Sequence, residues 1–283
     1  MTTGLRRVIP LPVRAALHAA RERLRHAYYT RALFGRNAAL VPPRAQMSDG
    51  VADYRAFKQN GAEFLRYYVE LCGLQPDDAI LDVGAGIGRK TLPLTGYLSP
   101  RGRYEGIEIV RAGVEWCQAR ITPRYPQFHF QQIDVYNRYY NPAGSQPASR
   151  YRFPFDDATF DVAVLGSVFT HLQPEDVENY LAQVARVLRP GGRCLITFFL
   201  LNQESLRLIE TGRSTLDLRH GAGICRVVDP QVPERTIGYD ERYVEDLYAS
   251  CGLAIRRPIR YGSWCGRGDF LSYQDIVVAE KAR

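Results

Sequence analysis

Residues 80 to 88 read ILDVGAGIG, an apolar run that passes through Asp82 and opens at once into Gly84, Gly86 and Gly88, and Glu108 follows twenty residues after the last glycine. Glycines placed directly after a strand let the backbone turn tightly. They also let a ligand come within van der Waals contact, because no Cβ stands in the way. A carboxylate at the tip of the next strand accepts both hydrogen bonds of a ribose diol. Together these residues predict a nucleoside-binding site.

Spacing narrows the choice of nucleoside. A dinucleotide fingerprint requires G-x-G-x-x-G. Here the third glycine comes one residue early, and Arg89 stands where the fingerprint wants it. The segment resembles motif I of the class I S-adenosylmethionine (SAM) methyltransferases, in which an acidic residue precedes G-x-G-x-G. Residues 133 to 135 (IDV), 160 to 172 (FDVAVLGSVFTHL) and 186 to 192 (RVLRPGG) are similar to that family's third-strand acidic loop, fourth strand and fifth-strand lead-in. The resemblance implies a doubly wound, mostly parallel, seven-stranded α/β sheet of Rossmann-like form whose last strand is antiparallel. It implies SAM as cofactor and S-adenosylhomocysteine (SAH) as product. Carried onto this sequence, it places Gly84, Ala85, Gly86 and Gly88 along the methionine part of SAM, with Asp82 at the ammonium end directly or through water. Glu108 takes the ribose hydroxyls, Asp134 the adenine amino group, Ile109 and Val135 the ring faces, and Ser167 the amino-acid moiety.

A methyl on a positively charged sulfur already carries the chemical drive, so the protein must place a nucleophile in line, exclude water and, for a hydroxyl, remove a proton. His171, in the SVFTHL segment just beyond the fourth strand, is the candidate catalytic base; an imidazole with the ordinary pKa near 6.5 suits that task. The alternative role is to cap the helix that begins near Pro174. His18, His26 and His220 fall in segments without a clear pattern, and His129 sits within a strand.

Substrate contacts are expected from insertions, since loops carry specificity on a rigid sheet. Residues 136 to 153 (YNRYYNPAGSQPASRYRF) hold Tyr139 and Tyr140, suited to stacking on a sugar or aromatic ring, and Arg152, suited to phosphate or carboxylate. A surface loop whose tyrosines pack on the domain explains them equally. Residues 201 to 239 form a second insertion that reads as a lid, and 261 to 270 bring Trp264 and Arg267 toward the acceptor side, unless the glycines there mark only a hairpin turn.

The elements that must position these residues alternate. Strands are expected near 79 to 83, 103 to 109, 128 to 133, 160 to 165 and 193 to 199, with two more at 253 to 260 and 274 to 280. Helices are expected near 53 to 73, 88 to 98, 110 to 121, 175 to 188 and 240 to 251. Such alternation makes right-handed βαβ units and a parallel sheet covered on both faces. The six cysteines are scattered without a C-x-x-C pair, so neither a metal site nor a disulfide framework is expected. No apolar run is long enough to span a bilayer and no signal-peptide core is present, which predicts a cytoplasmic protein.

The formal net charge of +7 is unevenly placed. Residues 1 to 46 hold nine arginines against Glu22, a balance of +8, which leaves −1 for the rest of the chain. A nucleic-acid enzyme needs basic residues around its cleft to neutralise phosphates, so nucleic acid is disfavoured as a partner. The chain is expected to divide into a basic helical extension, 1 to 46, and a catalytic domain, 47 to 283. In the extension Val13, Leu17, Ala20, Leu24 and Tyr28 share one helix face, and Arg14, His18, Arg21 and Arg25 another. Two readings stand: a helix on an anionic membrane or partner, or a lid or homo-oligomer helix packing its apolar stripe.

The expected activity is methyl transfer to a small or medium-sized acceptor, with a hydroxyl on a sugar or specialised metabolite as the leading choice. The competing readings are an RNA or protein methyltransferase and a non-catalytic SAM-binding module.

Overall fold

The computed structural model describes residues 11–47 and 53–283. The chain begins with α1 (Leu11–Phe34), passes through a 3-10 segment at Gly35–Leu40 and enters α2 (Tyr54–Glu70), whose first turn is capped by the Asp53 side chain accepting from the amides of Arg55 and Ala56. Then strands and helices alternate: β1 (Ala79–Val83), α3 (Thr91–Leu94), β2 (Arg103–Glu108), α4 (Arg111–Arg120), β3 (Phe128–Gln132), β4 (Phe160–Leu165), α5 (Pro174–Val187) and β5 (Leu188–Phe198). The remainder comprises β6 (Leu200–Leu201), α6 (Gln203–Glu210), β7 (Cys225–Val227), β8 (Ile237–Asp240), α7 (Glu241–Ser250), β9 (Leu253–Ile255) and β10 (Asp275–Lys281).

The main sheet has the order β3-β2-β1-β4-β5-β10-β9, parallel except for β10, which runs antiparallel to both neighbours. Strand order reverses between β1 and β4, and that reversal opens a crevice beyond their carboxyl ends. Side chains alternate across the pleat. Leu81, Val83, Ala163 and Leu165 join the core under α5 and α7, while Ile80, Val162 and Val164 join the core that contains Phe64, Tyr68 and Val114 of α2 and α4. Both faces are therefore buried, as the continuous apolar runs require. Asp82 shares the pleat face of Ile80 and so points into the second core.

Three elements differ from expectation. The helix foreseen over 88 to 98 is a single turn, α3, because Pro93 offers no amide and Gly96 follows it. The strand foreseen over 253 to 260 ends at Ile255, three residues before Pro258, which has no amide to donate to a ladder. The region 201 to 239, expected as a lid, carries α6 and most of a small sheet ordered β6-β8-β7. Its apolar core of Phe199, Leu201, Leu208, Ile209 and Leu218 closes on Trp264 and Cys265.

Candidate functional site

A cavity of about 1150 Å³ lies beyond the carboxyl ends of β1, β2 and β4. Small-molecule sites run to roughly 300–1000 Å³, so this one has room for a nucleoside-sized cofactor and a second molecule beside it. Gly84, Ala85 and Gly86 form one wall. Gly84, Gly86 and Gly88 all adopt positive φ (81°, 57° and 82°), and the turn is tied down by the amides of Gly84 and Ala85 donating to the Ile107 carbonyl. Glu108 is buried at the end of β2. Its Oε2 accepts from the Gly86 amide at 2.7 Å and its Oε1 from the Val110 amide at 2.8 Å, so the carboxylate is held in one orientation on the cavity wall. Ile109 and Val135 line the same cavity.

The glycine turn is wedged from behind as well. A Cβ built on Gly113 of α4 would sit 2.5 Å from the Gly86 carbonyl oxygen, a backbone atom that cannot swing aside. Gly113→Ala is therefore expected to push the turn toward the cavity, costing about 1–3 kcal/mol of stability as an overpacked site and weakening SAH binding. Thermal unfolding and calorimetry with SAH would check both; unchanged SAH affinity would show that the turn does not touch the nucleoside.

Asp82 does not line the cavity. It is fully buried behind the wall, with Tyr104 Oη donating to its Oδ2 at 2.8 Å and the other oxygen, Oδ1, left without a protein partner. Burial raises its pKa, against the pull of Lys90 and the Tyr104 bond. Lys90 is itself nearly buried, lines the cavity and donates to the Gly166 carbonyl at 2.6 Å. Nothing in the sequence had marked Lys90 or Gln274 as part of a site, because both owe their places to contacts with chain far away. Gln274 Oε1 accepts from the hydroxyls of Ser167 and Thr197 at 2.9 and 2.6 Å. Ser167 lines the cavity in a left-handed conformation, φ 64°, which a non-glycine residue holds at a cost of order 1–3 kcal/mol. Its amide donates to Thr197 Oγ1 at 2.7 Å, and these bonds keep it there.

His171 faces the cavity from a 3-10 turn, Phe169–His171. Its Nδ1 lies 2.9 Å from the Glu234 carbonyl oxygen. A carbonyl only accepts, so Nδ1 carries the proton, and in the neutral ring Nε2 presents a lone pair. Tyr140 Oη stands 3.4 Å from that Nε2, and the two rings meet edge to face at 5.0 Å. Asn137, buried and unforeseen, joins the two segments. Its Oδ1 accepts from the amides of Tyr139 and Tyr140, and its Nδ2 donates to the His171 carbonyl. Tyr139 and Tyr140 both line the cavity.

Besides Asp82, five expected contacts lie elsewhere. Gly88 is off the cavity and packed toward α4: a Cβ there would fall 3.0 Å from Ile121 Cδ1 and 3.1 Å from Cys117 Sγ. Asp134 is exposed and bonded to the hydroxyl and amide of Ser145. Arg152 is exposed and pairs with Asp157 at 3.3 Å. Trp264 and Arg267 are buried under the small sheet, where both donate to Asp275, and Arg267 also meets Glu204 at 2.8 Å. A buried carboxylate attracts donors, and these two side chains answer it rather than the cavity.

The wall fits an adenosyl ligand on its own evidence: an oriented strand-end carboxylate, a turn without Cβ atoms at Gly84 and Gly86, and two apolar side chains for a ring. Residues 81–196 match the family model described as a methyltransferase domain. Over 130 residues the chain is 35% identical to the phthiotriol/phenolphthiotriol dimycocerosates methyltransferase 1 of Mycobacterium ulcerans (strain Agy99), covering 46% of this chain and 39% of that protein. Over 119 residues it is 34% identical to the O-methyltransferase cnsE of Penicillium expansum, covering 41% and 36%. Among solved structures, a SAM-dependent methyltransferase of Methanosarcina mazei superposes with a TM-score of 0.51 at 22% identity, covering 74% of this chain and 94% of that one. The sequence matches thus span less than two fifths of each of these curated relatives, and the structural likeness speaks for the fold.

Proposed function

We propose that this chain is a class I SAM-dependent methyltransferase that methylates a hydroxyl group of a small or medium-sized acceptor, a reading supported by the methyltransferase-domain match over residues 81–196. The observation that carries the choice of a hydroxyl is the tautomer of His171: with Nδ1–H committed to the Glu234 carbonyl, the Nε2 lone pair is turned toward Tyr140 at the cavity. An alcohol must lose a proton as it is methylated, and a placed base contributes roughly 10²–10⁴-fold to such a step. The name of one relative, an O-methyltransferase, supports the choice.

SAM supplies the methyl group on its sulfonium. Glu108 holds the ribose diol, and Ile109 and Val135 sandwich the adenine. Gly84 to Gly86 let the methionine part lie against the backbone. Asp82 stays behind the wall, where Tyr104 Oη holds its Oδ2. His171 Nε2 receives the acceptor's proton, Tyr140 helps to orient the hydroxyl, and Tyr139 covers the acceptor. Asn137 is a positioning residue that keeps the tyrosine turn in register with His171.

Glu108→Gln tests the cofactor half. A neutral amide loses the charge-assisted bonds to the diol and turns an NH2 toward a backbone amide, so SAH affinity by calorimetry is expected to fall about 10- to 100-fold, the worth of one or two hydrogen bonds to a charged group. Undiminished SAH binding in that variant would remove Glu108 from the site. Methyl-labelled SAM incubated with alcohols and amines of matched shape tests the acceptor half, and transfer to amines alone would overturn the hydroxyl assignment.

A further inference from the structure

We propose that α1 docks on an anionic lipid bilayer, laying its apolar stripe into the surface. The stripe stands away from the protein: Leu17, Leu24 and Tyr28 are 57%, 74% and 70% exposed, and Val13 and Ala20 are exposed beside them. At about 100° per residue these five positions fall within an arc of roughly 80°. By the same geometry Arg14, Arg21 and Arg25 flank the arc on one side and Arg23 on the other. Glu22 lies on the opposite face, near Arg25.

The exposure is imposed by how the helix is held. Its last turns grip the domain with a different face: His26 Nδ1 meets Tyr54 Oη at 2.9 Å, Thr30 is buried, Lys58 Nζ donates to the Leu33 carbonyl at 2.6 Å, and Phe34 packs on Phe57. That face lies roughly opposite the stripe. Packing against the domain therefore fixes α1 with its apolar side outward, and the reading in which the stripe docks on the domain is not what the structure has.

Charge selects the occupant. An apolar stripe bordered by arginines suits a bilayer surface, where the apolar side chains enter the acyl boundary and the arginines reach up to anionic headgroups. A second copy of the helix on the same stripe would bring two sets of arginines together. A nucleic acid would meet leucine and tyrosine at the centre of the basic face. The net positive charge is also confined to this end of the chain, since the balance of +8 over residues 1 to 46 faces −1 over the remainder. Ala45 and Gln46, a short way past the helix, line the cavity, so docking would bring its rim toward the bilayer.

Flotation of the full chain with vesicles rich in phosphatidylglycerol, against pure phosphatidylcholine vesicles, tests this. Binding is expected to be at least about tenfold stronger to the anionic vesicles and to weaken with salt. The double variant Leu17→Gln/Leu24→Gln should lose about tenfold or more, and Arg14→Gln/Arg21→Gln/Arg25→Gln roughly a hundredfold. SAH affinity should stay unchanged in both, which reports intact folding and separates this proposal from the assignment of the active site. Equal binding to the two vesicle types, binding unaffected by either variant, a dimer in sedimentation that the leucine variant abolishes, or tighter binding to duplex RNA than to anionic vesicles would each overturn it.

Discussion

His171→Ala is expected to lower kcat by about 10²–10⁴-fold with SAH affinity unchanged, the usual range for removing a placed base. The effect should be large because the geometry leaves the imidazole little choice of role. The Glu234 carbonyl holds Nδ1–H, the Asn137 amide holds the backbone, and Nε2 points at Tyr140 in the cavity. In the wild type kcat should rise with pH as the imidazole loses its proton and then level off, and the variant should lose that limb. His171→Gln is the useful companion, since it keeps bulk and a polar group but cannot take up a proton at neutral pH. If both variants retain more than about a tenth of wild-type turnover, His171 is not the base. A capping role would reduce stability and leave the pH profile in place.

The second large effect is on folding. Asp275, buried at the start of β10, accepts four hydrogen bonds: from the Leu200 amide and Trp264 Nε1 on one oxygen, and from the Gly262 amide and Arg267 Nη1 on the other. This carboxylate joins the main sheet to the small one. Asp275→Ala would leave two amides and an indole without an acceptor and Arg267 with Glu204 as its remaining carboxylate partner, so it is expected to cost about 3–5 kcal/mol, as breaking a buried pair does. For a chain of this size that is a fall in Tm on the order of 10 °C. A loss under about 1 kcal/mol would mean that the cluster adds no net stability.

Its pH dependence has a definite sign. Burial pushes the Asp275 carboxyl from the ordinary 3.8 up to about 6, against its hydrogen bonds and Arg267. The folded protein thus binds this proton more tightly than the unfolded chain does. The group's contribution from that difference is complete below about pH 4 and is lost as pH rises through about 6. Comparing unfolding of the wild type and the alanine variant across that interval isolates the slope.

Much of the cavity's glycine wall was legible in the sequence, for a local reason. A strand needs its apolar run, a tight turn needs its glycines, and a carboxylate two residues before that turn or at the next strand tip follows from position alone. Ile80 to Gly86, Glu108 and Pro174 accordingly sit where periodicity and turn chemistry put them. His171 and the tyrosine pair also line the cavity, since both lie in the loops that leave the carboxyl ends of β4 and β3.

What the sequence could not decide was which way the remaining side chains face, since that depends on partners far along the chain. Trp264 and Arg267 turn to Asp275, which also takes the Leu200 amide 75 residues away in sequence. Asp134 turns to Ser145, Gly88 serves the packing of α4, and Lys90 reaches a carbonyl 76 residues on. The same division runs through α1. Its periodicity determines that an apolar stripe exists between arginines, but only the grip of Tyr54, Phe57 and Lys58 on the opposite face decides that the stripe looks outward. Backbone preferences act over a few residues, whereas burying a charge or choosing a helix face is settled by whatever the whole fold brings against it.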